Sequence, residues 1–214
     1  MHSLLKKILD VFIPPSVESV VVRQLSEEKL RALMRVSLGP HLWIYALFPY
    51  REPQIRALIR SIKYRGERAP LEMLGHILAE ELLEILADKY ALAGWQEALL
   101  VPLPSSKKRL RERGYNQTGR IGEKVAGHLG SSVRYAPKLL EREDRDSQTH
   151  FSYEKRKENI AGAFFVSPAL KSMAQGACII LLDDVVESGS TLSDARRALL
   201  SAGAQDVIAI AVAK

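Results

Sequence analysis

The chain has 214 residues, 47% of them hydrophobic and 26% charged, with a formal net charge of +6. That length suits one large domain or one domain with an appendage, the apolar share is enough for a sizeable core, and a disordered composition is excluded. The positive balance favours anionic ligands such as phosphates or nucleic acid, while the lone cysteine, Cys178, excludes an intrachain disulfide or a cysteine-built zinc site.

No apolar run reaches transmembrane length. Residues 1 to 14 are interrupted by Lys6, Lys7 and Asp10 and do not make a convincing signal peptide. A cytoplasmic protein is the expectation. In chain order, Leu4, Leu5, Ile8, Leu9 and Phe12 fall at helical spacing and Pro14-Pro15 ends that helix. Ser26 before Glu27-Glu28 caps a second helix that runs to about Val36. Leu42 to Phe48 reads as an aromatic-rich strand. Arg51 to Tyr64 is an amphipathic helix that ends in the basic loop Lys63 to Arg68, and Leu71 to Leu86 marks a long core helix.

Ala98 to Leu103 is the next buried strand. It runs into Pro104-Ser105-Ser106 and then a basic turn with Lys107, Lys108, Arg109, Arg111 and Arg113. Turns after parallel strands are where α/β proteins place ligands, and small hydroxyls beside cations suit a pyrophosphate. The plain alternative is a solvated basic loop. Tyr115 to Leu129 is a helix, Val133 to Leu140 an edge strand, and Glu141 to Arg156 a charged insertion with the character of a lid. Ala161 to Val166 and Asp206 to Val212 are further strands.

The densest chemistry lies between Cys178 and Leu192. An apolar run, Cys178 to Leu182, reads as a strand buried on both faces and ends in two carboxylates, Asp183 and Asp184. A small loop follows, Ser188, Gly189, Ser190 and Thr191, and opens a helix. Gly189 lets the backbone curl close to a ligand. Free N–H groups at the helix start make an anion site, and strand-end carboxylates can accept from vicinal hydroxyls. One end holds a phosphate and the other a sugar.

This stretch resembles the phosphoribosyl pyrophosphate (PRPP) motif of type I phosphoribosyltransferases. Three further pieces are similar to the ComF/GntX-like branch: Arg56 to Gly66; Val101 to Pro104 with Arg113 to Gln117; and Gln148, Phe151-Ser152, Arg156 and Asn159 followed by Gly162 to Phe164. Members often begin with a cysteine zinc finger after a Pro-rich turn. Phe12 to Pro15 stands where it would start, but its cysteines are absent, and no zinc function is carried over.

The resemblance implies an α/β fold: a mostly parallel sheet flanked by helices, with an N-terminal helical or hood element over residues 1–44 and the phosphoribosyltransferase-like domain over 45–214. It implies that Asp183 and Asp184 hold the PRPP ribose, and that Ser188, Gly189, Ser190 and Thr191 hold its 5′-phosphate. Leu103, Pro104, Ser105, Ser106 and Lys107 would form the pyrophosphate loop, and Gln148, Arg156 and Asn159 belong to the hood. Magnesium accompanies PRPP. Arg113 or Lys107 offsets leaving-group charge, and Glu187, where many relatives carry Thr, acts on the acceptor base, stabilises the ribose ring charge or simply faces solvent. The acceptor that the resemblance implies is a nitrogen base or amine. The second reading is a competence or DNA-uptake protein that uses the fold to bind single-stranded nucleic acid or a helicase partner, without transfer.

Overall fold

The computed structural model describes residues 17–38, 41–64, 67–143 and 162–214. The first expected helix, Leu4 to Phe12, and the hood residues Gln148, Arg156 and Asn159 lie outside the described residues. The strands are β1 (Ser37–Leu38), β2 (Ile44–Phe48), β3 (Ala98–Pro102), β4 (Arg134–Tyr135), β5 (Leu140–Arg142), β6 (Phe164–Val166), β7 (Cys178–Val185) and β8 (Asp206–Ala213). The helices are α1 (Val17–Arg23), α2 (Glu27–Leu33), α3 (Pro53–Tyr64), α4 (Arg68–Leu92), α5 (Lys107–Arg113), α6 (Gln117–Leu129), α7 (Lys171–Ala174) and α8 (Ser190–Ser201).

Six strands form one sheet in the order β1-β2-β8-β7-β3-β4. All neighbours are parallel except β1, which runs antiparallel to β2. Continuous apolar runs such as Cys178 to Leu182 and Val207 to Ala213 are what a sheet covered on both faces requires. Along β7 the side chains alternate: Ile180 and Leu182 pack with Leu58, Ile62, Leu74 and Val125. Ile179 and Leu181 pack on the other side with Leu192, Ala195 and Leu199. Helices α3, α4 and α6 therefore cover one face and α8 the other. From β3 the chain moves outward to β4, while from β7 it moves the opposite way to β8. The order reverses between β3 and β7, and that crevice is where an open α/β sheet places ligands.

The mixed α/β architecture agrees with expectation, and several local boundaries do not. The turn after β3 is not all loop: Lys107–Arg113 forms a helix capped by Ser106, whose Oγ accepts from Arg109 N at 3.3 Å, and closed by Gly114 at φ 77°. None of its residues is buried, so no apolar period announces it. The Ser26-capped helix stops at Leu33, with Met34 already extended. The segment Val133 to Leu140 is not one edge strand. Arg134–Tyr135 pairs with β3, and Leu140–Arg142 leaves to form a separate hairpin with Phe164–Val166. Pro137 lies between the two pieces and has no N–H to continue a ladder. No described helix is long and apolar enough to cross a membrane.

Candidate functional site

Strand β7 delivers both acidic residues at its C-terminal end, beside the end of β3, where Leu103 N–H donates to Leu182 O at 2.9 Å. They line a cavity of about 460 Å³ together with Lys63, Leu103, Pro104, Ser105, Arg109, Gln117, Thr118, Arg142 and residues 185–192. The alternation of β7 turns the two carboxylates to different sides. Asp184 faces the α3/α6 side and is buried. Its Oδ2 lies 2.6 Å from Lys63 Nζ and accepts from Gln117 Nε2 at 3.1 Å, while Oδ1 accepts from Val185 N–H at 2.9 Å. Asp183 accepts the Asp184 N–H at 2.8 Å and stays partly open to the cavity. Desolvation first, and the neighbouring Asp184 charge second, push the Asp183 carboxyl above the ordinary carboxylate range. Asp183 is only partly buried, which tempers that rise.

The loop that opens α8 is a tight turn at a helix N-terminus, with Ser190 N–H donating to Ser188 Oγ at 3.4 Å. Gly189 sits at φ 74°, a left-handed conformation that a side chain resists, and caps the helix. Ser188 and Ser190 bring their hydroxyls within 2.9 Å of each other, and Ser193 N–H closes the first turn on Gly189 O at 2.8 Å. Ser190 and Thr191 are the first two residues of α8. Glu187 is exposed at the rim.

On the β3 side, the loop Leu103 to Ser105 is pinned by α6. Asn116 Nδ2 donates to Leu103 O at 3.1 Å, Thr118 Oγ1 to the same oxygen at 2.6 Å, and Ser105 Oγ to Asn116 Oδ1 at 2.9 Å. Leu103, Pro104 and Ser105 reach the cavity, whereas Ser106 serves as the α5 cap and Lys107 is exposed at the helix start, away from the lining. Arg113 also stands off the lining. It donates to Gln117 Oε1 at 2.5 Å and stacks 5.3 Å from the Tyr64 ring centroid. Four polar cavity residues have no site role in the sequence reading: Lys63, Gln117, Thr118 and Arg142; Arg109 enters it only as one cation of the basic turn. The spacing Lys63…Gln117…Asp184 carries no local signal, because three separate elements bring them together.

A second polar cluster lies away from this cavity. His76, Glu27 and Glu80 hold potential metal-binding atoms within 4.8 Å of one another, a grouping the scattered histidines did not suggest. His76 Nδ1 is 2.9 Å from Glu27 Oε1, and Arg31 bridges Glu27 and Glu80. These contacts close the group on itself, with Arg31 paired to both glutamates and His76 hydrogen-bonded to Glu27, and tie α2 to α4.

No protein-family model matches the chain. Curated relatives do. A DNA utilization protein, YhgH, of Escherichia coli is 27% identical over 156 residues, 72% of this chain and 65% of that protein. A competence protein, ComFC, of Bacillus subtilis is 28% identical over 162 residues, 74% of this chain and 58% of that protein. The chain thus spans about 65% of the length of the first of these relatives. The resemblance to ComF-like proteins drawn from the motifs holds. Among solved structures, a hypoxanthine phosphoribosyltransferase from Staphylococcus aureus aligns with TM-score 0.39 at 10% identity, over 66% of this chain and 61% of that one. A PRPP amidotransferase from Bacillus subtilis aligns with TM-score 0.42 at 16% identity, over 71% of this chain and 30% of that one.

Proposed function

We propose that the chain is a phosphoribosyltransferase-type protein that binds PRPP with magnesium and passes its ribose 5-phosphate to a nitrogen acceptor. One observation carries this reading: the acid pair, the glycine-hydroxyl loop at the start of α8 and the Leu103 to Ser105 loop all line one cavity at the β3/β7 switch point. A sugar flanked by two phosphate groups needs that order of sites. The acidic strand end offers acceptors to ribose hydroxyls, residues 188–191 offer backbone and hydroxyl donors to the 5′-phosphate, and the β3 loop with Arg109 faces the pyrophosphate.

In the reaction the bond from ribose C1 to the pyrophosphate oxygen breaks, its electron pair leaves with pyrophosphate, and a C1–N bond forms. The transition state is oxocarbenium-like, so positioning and charge stabilisation supply the rate. Glu187 at the rim would take a proton from the incoming nitrogen or face the developing ring charge. The donor set fits a magnesium ion carried on the ligand rather than a resident one. Asp183 is the carboxylate with an edge free toward the cavity, Asp184 is already engaged by Lys63, and magnesium is content with one or two carboxylates plus phosphate oxygens and waters. Bound with PRPP, it would neutralise pyrophosphate charge.

The reading is tested by calorimetry of PRPP with magnesium, followed by assay with a panel of bases and amines. Saturable, magnesium-dependent binding is expected; its absence removes the proposal. A second reading, nucleic-acid or helicase-partner binding in competence, draws on the printed names of the relatives and on the exposed basic helix α5 beside Tyr64. Single-stranded DNA that binds with steep salt dependence, while PRPP does not bind, would favour it.

A further inference from the structure

The two carboxylates that a sugar-binding acid pair would use alike are not equivalent in this fold. Both oxygens of Asp184 are engaged inside the protein, Oδ1 by the Val185 N–H and Oδ2 by Lys63 and Gln117. Gln117 is itself buried and held from behind by Arg113. Asp183 gives one oxygen to the Asp184 N–H and keeps an edge on the cavity.

Lys63 is equally unusual. Its side chain is only 20% exposed, and it ends at the cavity wall. A largely buried ion pair adds little net stability over an apolar pair of the same size, so stability alone does not explain it. An ammonium also has three donors, and one carboxylate oxygen uses one of them.

Building on the PRPP reading, we infer that Asp184 is a positioning residue that aims Lys63 into the cavity, and that Lys63 is the cation that meets the pyrophosphate of the ligand, leaving Asp183 as the carboxylate that meets a ribose hydroxyl. Arg113, off the lining, supports the same arrangement through Gln117. The substrate feature read by Lys63 is therefore the diphosphate, not the sugar.

The test compares three ligands by calorimetry, each with magnesium: PRPP, inorganic pyrophosphate and ribose 5-phosphate. Lys63→Met is expected to weaken PRPP and pyrophosphate by on the order of tenfold or more, the scale of a lost charge-assisted hydrogen bond, and to leave ribose 5-phosphate unchanged. Lys63→Arg should recover part of the loss. Should Lys63→Met fail to fold because it strands Asp184, the double variant with Asp184→Asn removes both charges and is read the same way. Equal loss of all three ligands marks a merely structural lysine and overturns the inference, as does no loss of any. In both cases PRPP binding by the wild type leaves the parent reading standing. A wild-type protein that binds none of the three overturns the parent reading and this inference with it.

Discussion

Arg113 donates to the Gln117 carboxamide oxygen at 2.5 Å and thereby decides which end of that amide meets the acid pair: Nε2 points to Asp184 Oδ2 at 3.1 Å. The arginine that the sequence offers as a leaving-group cation is placed one residue behind the cavity wall. Arg113→Met should weaken PRPP binding, and the effect should vanish in a Gln117→Leu background. A double-mutant cycle with a coupling of about 0.5–3 kcal/mol is expected. Additive effects would show that Arg113 acts on the ligand directly.

Gly189 holds φ 74° at the head of α8. A β-branched residue there costs about 1–2 kcal/mol in backbone strain and moves the donors proposed to meet a phosphate. Gly189→Val should keep its fold and lose binding of a nucleoside 5′-monophosphate. Normal binding by the folded variant would remove the loop from the phosphate site.

The main strands were legible in the sequence because buried parallel strands are written as unbroken apolar runs, as Cys178 to Leu182 and Asp206 to Val212 show. The amphipathic helices ending at Tyr64 and Leu129 were legible for the corresponding reason. Helix α5 was not, because no residue from Lys107 to Arg113 is buried and the helix depends on its caps, Ser106 and Gly114. At the site, the PRPP-like stretch was contiguous and so visible. The Lys63–Asp184 pair was invisible because it joins residues 121 positions apart, and only the face alternation of β7 decides that Asp184, not Asp183, meets α3.

Asp183 and Asp194 should respond to pH in opposite senses. Burial raises the Asp183 carboxyl in the folded state, so the folded protein holds its proton more tightly than the unfolded chain does. The stability this group gives is complete below the ordinary carboxylate value of about 4 and is lost as pH rises toward its raised folded value. Denaturant unfolding between pH 5 and 8, at points chosen on the order of one unit apart, should show wild type losing stability relative to Asp183→Asn as pH rises. A constant difference between the two would mean that Asp183 is ionised throughout.

Asp194 is also buried, and burial alone would raise it. Hydrogen bonds outweigh that: Gly162 N–H at 2.6 Å, Arg197, Ala163 N–H at 2.8 Å and Phe164 N–H at 3.3 Å hold its carboxyl below the ordinary range. Its stabilisation is present above pH of about 4 and is lost as pH falls through the lowered value. These bonds fasten strand β6 to α8, and Asp194→Ala would remove the acceptor of three backbone donors at a cost of about 2–5 kcal/mol. A loss below about 1 kcal/mol in urea unfolding would show that water or another side chain replaces the carboxylate.

Glu187 stands exposed at the mouth of the cavity, three residues past Asp184 and one before the Ser188 to Thr191 loop. A carboxylate so close to a bound phosphate weakens binding by like-charge repulsion unless it has a task in the reaction. Two tasks fit its place: accepting a proton from the nitrogen that attacks ribose C1, and facing the positive charge that develops on the ring. Both belong to the chemical step. Glu187→Gln should therefore lower turnover by about tenfold or more while PRPP affinity stays within about twofold, because the amide keeps the shape and removes the charge. If the carboxylate only repels phosphate, the same substitution should tighten PRPP binding and leave turnover alone. Single-turnover rates and calorimetric affinities measured on this one variant separate the two, and tighter binding with undiminished turnover would take Glu187 out of the chemistry.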